Sequence, residues 1–192
     1  MTRLDPDAIV IGASAGALEA LSAILPALSA DFPLPIMIVV HVPPDRRSIL
    51  SELFQSKCLV RVKEAEDKEP IAAGTIYFAP PDYHLLVEAG RTLALSSDEP
   101  VLYSRPSIDV LFESAADVYG AGLVGIVLTG ANHDGAMGLR AIAEAGGTAL
   151  VQEPADAFAS AMPEAALAAV PGASVLRIQE IAGRLTSLGF RA

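Results

Sequence analysis

Ser14, His41 and Asp134 are the residue types a nucleophilic hydrolase needs, and each follows an apolar run of strand length. A serine hydroxyl is a poor nucleophile until a base takes its proton, and a buried carboxylate must orient that base. Ser14 stands in Gly12-Ala13-Ser14-Ala15-Gly16, which matches G-x-S-x-G. In that pattern small flanking residues let a tight strand-to-helix turn expose the hydroxyl. His41 ends the run "PIMIVVH", and Asp134 follows "LVGIVL" and the turn Thr129-Gly130. Ligands and catalytic groups of open α/β sheets gather at such carboxyl ends. The chain has 3 histidines in all. His84 opens an expected hairpin strand, where a surface position is the plain reading. His133 is a second candidate base, although its adjacency to Asp134 points the two side chains apart.

Each residue also has a simpler reading. Ser14 and Asp134 both suit helix N-caps, because serine and aspartate are among the preferred capping residues. The glycine turn also suits the pyrophosphate of a dinucleotide, held on backbone N–H groups at a helix N-terminus. Three observations oppose a nucleotide-binding oxidoreductase. The second strand ends in "VVHVPP", with no residue to read a ribose; none of Tyr77, Tyr83, Tyr103 and Tyr119 has a lysine four positions on; and the strict G-x-G-x-x-G is missing.

Strand-like apolar runs alternate with segments of helical period, at 8–12 then 17–28 and at 36–40 then 46–56, the pattern of βαβ units on a parallel sheet. Leu18, Leu21, Ile24, Leu25 and Leu28 recur at three- and four-residue steps and are expected to face the sheet as core. Residues 59–62 read as a third strand followed by a charged loop, and 75–79 as a fourth that stops at Pro80-Pro81. Residues 85–88 and 92–95 read as an antiparallel hairpin. A helical stripe of Ile108, Leu111, Phe112, Ala115 and Tyr119 follows Pro106, which suits a first-turn position. A buried strand at 123–128 precedes a helix closed by Gly146-Gly147. Residues 148–152 form a further strand, and helices near Ala165 and over 178–188 complete a three-layer, doubly wound, mostly parallel α/β fold of Rossmann-like type with a small antiparallel hairpin.

At 192 residues the chain is expected to form one domain around one core. Its composition is globular, with 52% hydrophobic residues. The net charge of -10 repels phosphate backbones and anionic lipid, so nucleic acid is not an expected partner. The strand-like, nearly charge-free run 34–42 is far too short to span a bilayer, and the N-terminus lacks a basic region before an apolar one. No membrane insertion is expected, and the cytoplasm is the expected location. The single cysteine, Cys58, has no partner for a disulfide or a zinc site and is expected to be a small buried residue.

With these residues in place, the chain resembles the catalytic domain of the CheB-type protein-glutamate methylesterases over nearly its whole length. "IGASAGALEAL" resembles the family's serine turn, "VVHVPPDRRSIL" its histidine loop and "SRPSIDVLFESAADVYG" its substrate-side helix. "GIVLTGANHDGAMGLRAI" resembles its aspartate turn and "VQEPADAFASAMPEAAL" its late motif. The resemblance implies hydrolysis of γ-glutamyl methyl esters on the cytoplasmic helices of methylated chemoreceptors, with release of methanol, and in some members deamidation of receptor glutamines. It aligns Ser14, His41 and Asp134 with the family's catalytic triad and implies no metal or cofactor. Backbone N–H groups near His41 and Ala131 are the expected oxyanion donors, and Arg105 either steers a receptor carboxylate or is a solvated loop residue. Ala15, Ala17 and Ala131-Asn132-His133 depart from the family pattern, and these changes bear on rate and substrate choice. Residues 1–192 are expected to be a single catalytic domain without the receiver domain of regulated members. A weakly or non-catalytic docking module of the same fold, binding a receptor or signalling partner, is the alternative.

Overall fold

The computed structural model describes residues 6–41 and 49–189. Seven strands form one parallel sheet: β1 (Ala8–Ala13), β2 (Ile36–Val40), β3 (Arg61–Glu64), β4 (Thr75–Phe78), β7 (Leu123–Val127), β8 (Thr148–Gln152) and β9 (Ser174–Leu176). Their spatial order is β3-β4-β2-β1-β7-β8-β9, and β5 (His84–Glu88) pairs antiparallel with β6 (Thr92–Ser96) in a separate hairpin. The chain builds outward from β1 in one direction, then crosses back to β7 on its other side. The carboxyl ends of β1, β2 and β7 therefore meet at the point where a doubly wound sheet opens a crevice.

Alternate residues of the central strands serve opposite faces. Ile9, Ile11, Ile36, Ile38, Val124 and Ile126 pack under α1 (Ala17–Ile24), α2 (Leu50–Gln55) and α6 (Ile178–Gly189). Ala8, Val10, Met37, Val39, Leu123 and Val127 pack under α3 (Ile108–Tyr119), α4 (Ala136–Glu144), α5 (Ala161–Ala169) and the hairpin. A Cβ at Gly12 would collide with the Ile108 side chain, so this glycine lets the start of α3 lie against β1. The expected α/β architecture is the observed one.

Several local expectations are corrected. Leu18 is 48% exposed although Leu21, Ile24, Leu25 and Leu28 are buried, because the buried face of α1 runs through Ala17, Ala20, Leu21 and Ile24 and leaves Leu18 to one side. The helix stops at Ile24 and tightens into a 3-10 turn, Leu25–Ala27, because Pro26 has no N–H to continue the ladder. The third strand begins at Arg61 rather than 59, and Leu59 is exposed. Its register is set by pairing with β4, Arg61 against Thr75 and Val62 against Ile76. Pro106 precedes the α3 cap instead of occupying the first turn, since Ser107 is the N-cap and accepts from Val110 N. Of the helix expected over 46–56, residues 50–55 are helical and 46–48 lie outside the described residues. The short strand β9 was not expected from its sequence.

The two sides of α1 give a direct test of this register. Leu21→Ala is expected to cost about 2–5 kcal/mol of unfolding free energy by denaturant titration. Leu18→Ala should stay within about 0.5 kcal/mol of the unsubstituted chain.

Candidate active site

β1 ends at Ala13, and the backbone turns through Ser14 and Ala15 into α1. Gly16 is the N-cap, with φ +83, a conformation that favours glycine. The turn is tied to the chain after β7: Ser14 N donates to Thr129 O at 2.9 Å, and Thr129 Oγ1 donates to Ala15 O at 2.8 Å. No side chain caps α1, so the capping reading of Ser14 is corrected. Its hydroxyl makes no hydrogen bond among the described residues. Gly16 is closely packed on one side: a Cβ there would stand 2.6 Å from Phe158 Cβ and 3.1 Å from the Thr129 methyl.

His41 follows β2, and its N–H donates to Ala13 O at 3.2 Å, which extends the β1–β2 ladder and sets the residue beside the serine turn. The imidazole Nε2 lies 2.7 Å from Asp134 Oδ2, across 93 residues of sequence. The His41 N–H itself is therefore engaged by the sheet, and residues 42–48, which include the next N–H groups near His41, lie outside the described residues. The N–H groups of Ala15 and Ala131 make no hydrogen bond among the described residues.

Asp134 is fully buried and accepts from four donors. Oδ2 receives His41 Nε2 and Ile108 N; Oδ1 receives Ser107 Oγ and Asp109 N, both at 2.9 Å. Burial pushes this carboxyl up, but the His41 hydrogen bond and the Asp109 and Ile108 N–H groups outweigh it and hold it below the usual carboxylate range. The residue does cap a helix, though not the one that follows it in sequence. It satisfies free N–H groups of α3, where the helix dipole also favours an anion.

Asp109 returns the favour to α4. Its Oδ1 accepts from Gly135 N at 2.9 Å and Gly138 N at 2.6 Å. Burial raises its pKa from 3.8 to about 6; the Gly138 N–H opposes the rise, and the Asp134 charge adds to it. The sequence carried a weak signal for this residue, an aspartate in the first turn after the Ser107 cap.

His84 is also corrected. It is buried, not on the surface: Nδ1 accepts from Ser107 N at 3.1 Å, and Nε2 donates to Glu99 O at 3.0 Å. Those partners require a neutral ring protonated at Nε2. His84 thus fixes the α3 cap from the hairpin side, at one remove from Asp134.

His133 is exposed, and its side chain makes no hydrogen bond to the cluster. Arg105 is a structural clamp here. Its Nε and Nη2 donate to Asp82 Oδ1, and Nη1 donates to Ser97 O and Asp98 O. Cys58 is buried as expected, and burial pushes its thiol up. Beside Ser14 opens a cavity of about 370 Å³ with an apolar wall of Leu18, Val40, Leu50 and Phe158.

A doubly wound α/β sheet with a serine turn and a carboxylate-bound histidine at its switch point defines a class of enzyme site built on strand ends. Within that class the chain belongs to the CheB methylesterase family, whose model, described by those words, matches residues 9–185. Membership places it among carboxylic-ester hydrolases. The crystal structure of the Thermotoga maritima CheB methylesterase catalytic domain superposes with a TM-score of 0.90 at 31% identity, covering 95% of this chain and 98% of that one. A Leptospira interrogans relative is 47% identical over 176 residues, 92% of this chain and 91% of its own. A Symbiobacterium thermophilum protein named protein-glutamate methylesterase/protein-glutamine glutaminase is 35% identical over 184 residues, and the match spans 51% of its length. No helix among the described residues is long and apolar enough to cross a membrane.

The buried carboxylate of Asp109 predicts a pH effect of definite sign. Between pH 3.8 and about 6 the folded chain keeps a proton on Asp109 that the unfolded chain has lost. Rising pH across that window therefore removes stability. The stability of the unsubstituted chain relative to Asp109→Asn should fall through this window in urea titrations at stepped pH. A pH-independent difference would refute the assignment.

Proposed function

We propose that this protein is a protein-glutamate methylesterase acting on methylated chemoreceptor cytoplasmic helices in the cytoplasm, with receptor glutamine deamidation as a related reaction of the same site. The observation that carries the reading is the pairing of His41 with the buried Asp134 beside the Ser14 turn. The exposed apolar side chains Leu18 and Phe158 at the cavity rim suit the apolar flank of a helix that presents a neutral methyl ester.

In this mechanism Ser14 Oγ attacks the ester carbonyl carbon while His41 takes the hydroxyl proton at Nδ1, since Nε2 is held by Asp134. Collapse of the tetrahedral intermediate breaks the bond to methoxide, which receives the proton from Nδ1 and leaves as methanol. Water, activated by the same nitrogen, then releases the glutamate side chain and restores Ser14. Asp134 stays ionised and stabilises the imidazolium that forms twice in the cycle. The unengaged N–H groups of Ala15 and Ala131 are the proposed oxyanion donors. One such donor is worth about 3 kcal/mol in related acyl-transfer chemistry.

Methanol release from methylated receptor membranes tests the reading. Ser14→Ala and His41→Ala should each lower the rate on the order of 10⁴-fold or more. Equal receptor binding by the unsubstituted chain and Ser14→Ala, with hydrolysis by neither, would instead favour a docking module. That second reading draws on the missing Ser14–His41 hydrogen bond.

A further inference from the structure

The imidazole of His41 has a partner on each nitrogen. Asp134 Oδ2 can only accept, so the ring proton sits on Nε2. In the neutral ring the lone pair is then on Nδ1. The amide of Asn132 lies against it, with Nδ2 3.1 Å from Nδ1. The orientation of that amide is fixed from its other end, because Asn132 Oδ1 accepts from Asp134 N at 3.2 Å. Its NH₂ group must therefore face His41 and donate to the lone pair.

We propose that Asn132 is a positioning residue that locks the resting base: it occupies His41 Nδ1 and must release it before Ser14 can be deprotonated. The proposal rests on the triad reading and adds a regulatory step to it. Once Nδ1 gains the serine proton it becomes a donor and faces a second donor on Asn132. The amide cannot turn its oxygen to the ring without giving up Asp134 N–H. Contact between Asn132 and His41 thus favours the neutral ring alone, and turnover requires Asn132 to swing away. The free Ser14 hydroxyl fits such a state, since the nitrogen it needs is already taken.

Asn132→Ser tests the lock. A serine hydroxyl can keep the short turn to Asp134 N–H, as Ser and Asn share that local bonding pattern, but it brings no amide donor to the ring. Asn132→Ala serves as a second variant without the turn. The first readout is the rate at which a fluorophosphonate modifies Ser14 in substrate-free protein, with Ser14→Ala and His41→Ala as controls. Both Asn132 variants should react roughly two- to tenfold faster than the unsubstituted chain, the effect of one net hydrogen bond. The second readout is ¹⁵N NMR of histidine-labelled protein, in which the His41 Nδ1 resonance should move toward the value of an unbonded imidazole nitrogen. Modification that depends on His41 but is no faster in either variant, with an unmoved Nδ1 resonance, would overturn the lock and leave the triad standing. Modification unaffected by His41→Ala, or absent in every variant, would remove the triad and the lock with it.

Discussion

The exchange of carboxylates between the N-termini of α3 and α4 is the constraint on which the site depends. Asp134, just before α4, satisfies N–H groups of α3, and Asp109, in the first turn of α3, satisfies those of α4. Each helix start would otherwise present unpaired donors in a buried place, which is unfavourable. The exchange holds two helices that are separated in sequence at one fixed offset. It also fixes the carboxylate that binds His41, because three of the four donors to Asp134 come from the beginning of α3.

Two buried carboxylates in one small region repel, and the environment resolves the conflict by treating them differently. Asp134 has four donors, including a histidine, and stays ionised. Asp109 has two peptide donors, and burial leaves it close to protonation under mildly acidic conditions. Below about pH 6 the division leaves one negative charge, on Asp134, located where an imidazolium would form. Hydrogen bonds extend this order outward: His84 holds Ser107 N, Ser107 Oγ holds Asp134, and Asp134 holds His41. The hairpin, which looks peripheral in the topology, is thereby connected to the site.

Much of this protein was legible in its residues. Apolar runs too continuous for a half-exposed sheet pointed to strands covered on both faces, and the alternation with helical periods pointed to the doubly wound order. The Ser14, His41 and Asp134 positions were legible because such sheets place their polar groups at strand ends. His84 was misread because a histidine at the mouth of a hairpin has no local mark of burial; its partners Glu99 and Ser107 lie 15 and 23 residues away. Leu18 was misread because large apolar side chains at helical period suggest a stripe, while the small residues Ala17 and Ala20 share the buried face and Leu18 lies beside it.

The sequence by itself determined most of the element types, the parallel sheet and the identity of the three polar residues at its edge, since periodicity and turn chemistry act over a few residues. Tertiary structure alone decided which helix each aspartate caps, which nitrogen of His41 carries a proton, and what meets the other nitrogen. Those features come from donors and acceptors brought within 3.1 Å across more than twenty residues of chain, as between Asn132 and His41. Hydrogen-bond direction is set by the whole surrounding network, and no local pattern encodes it.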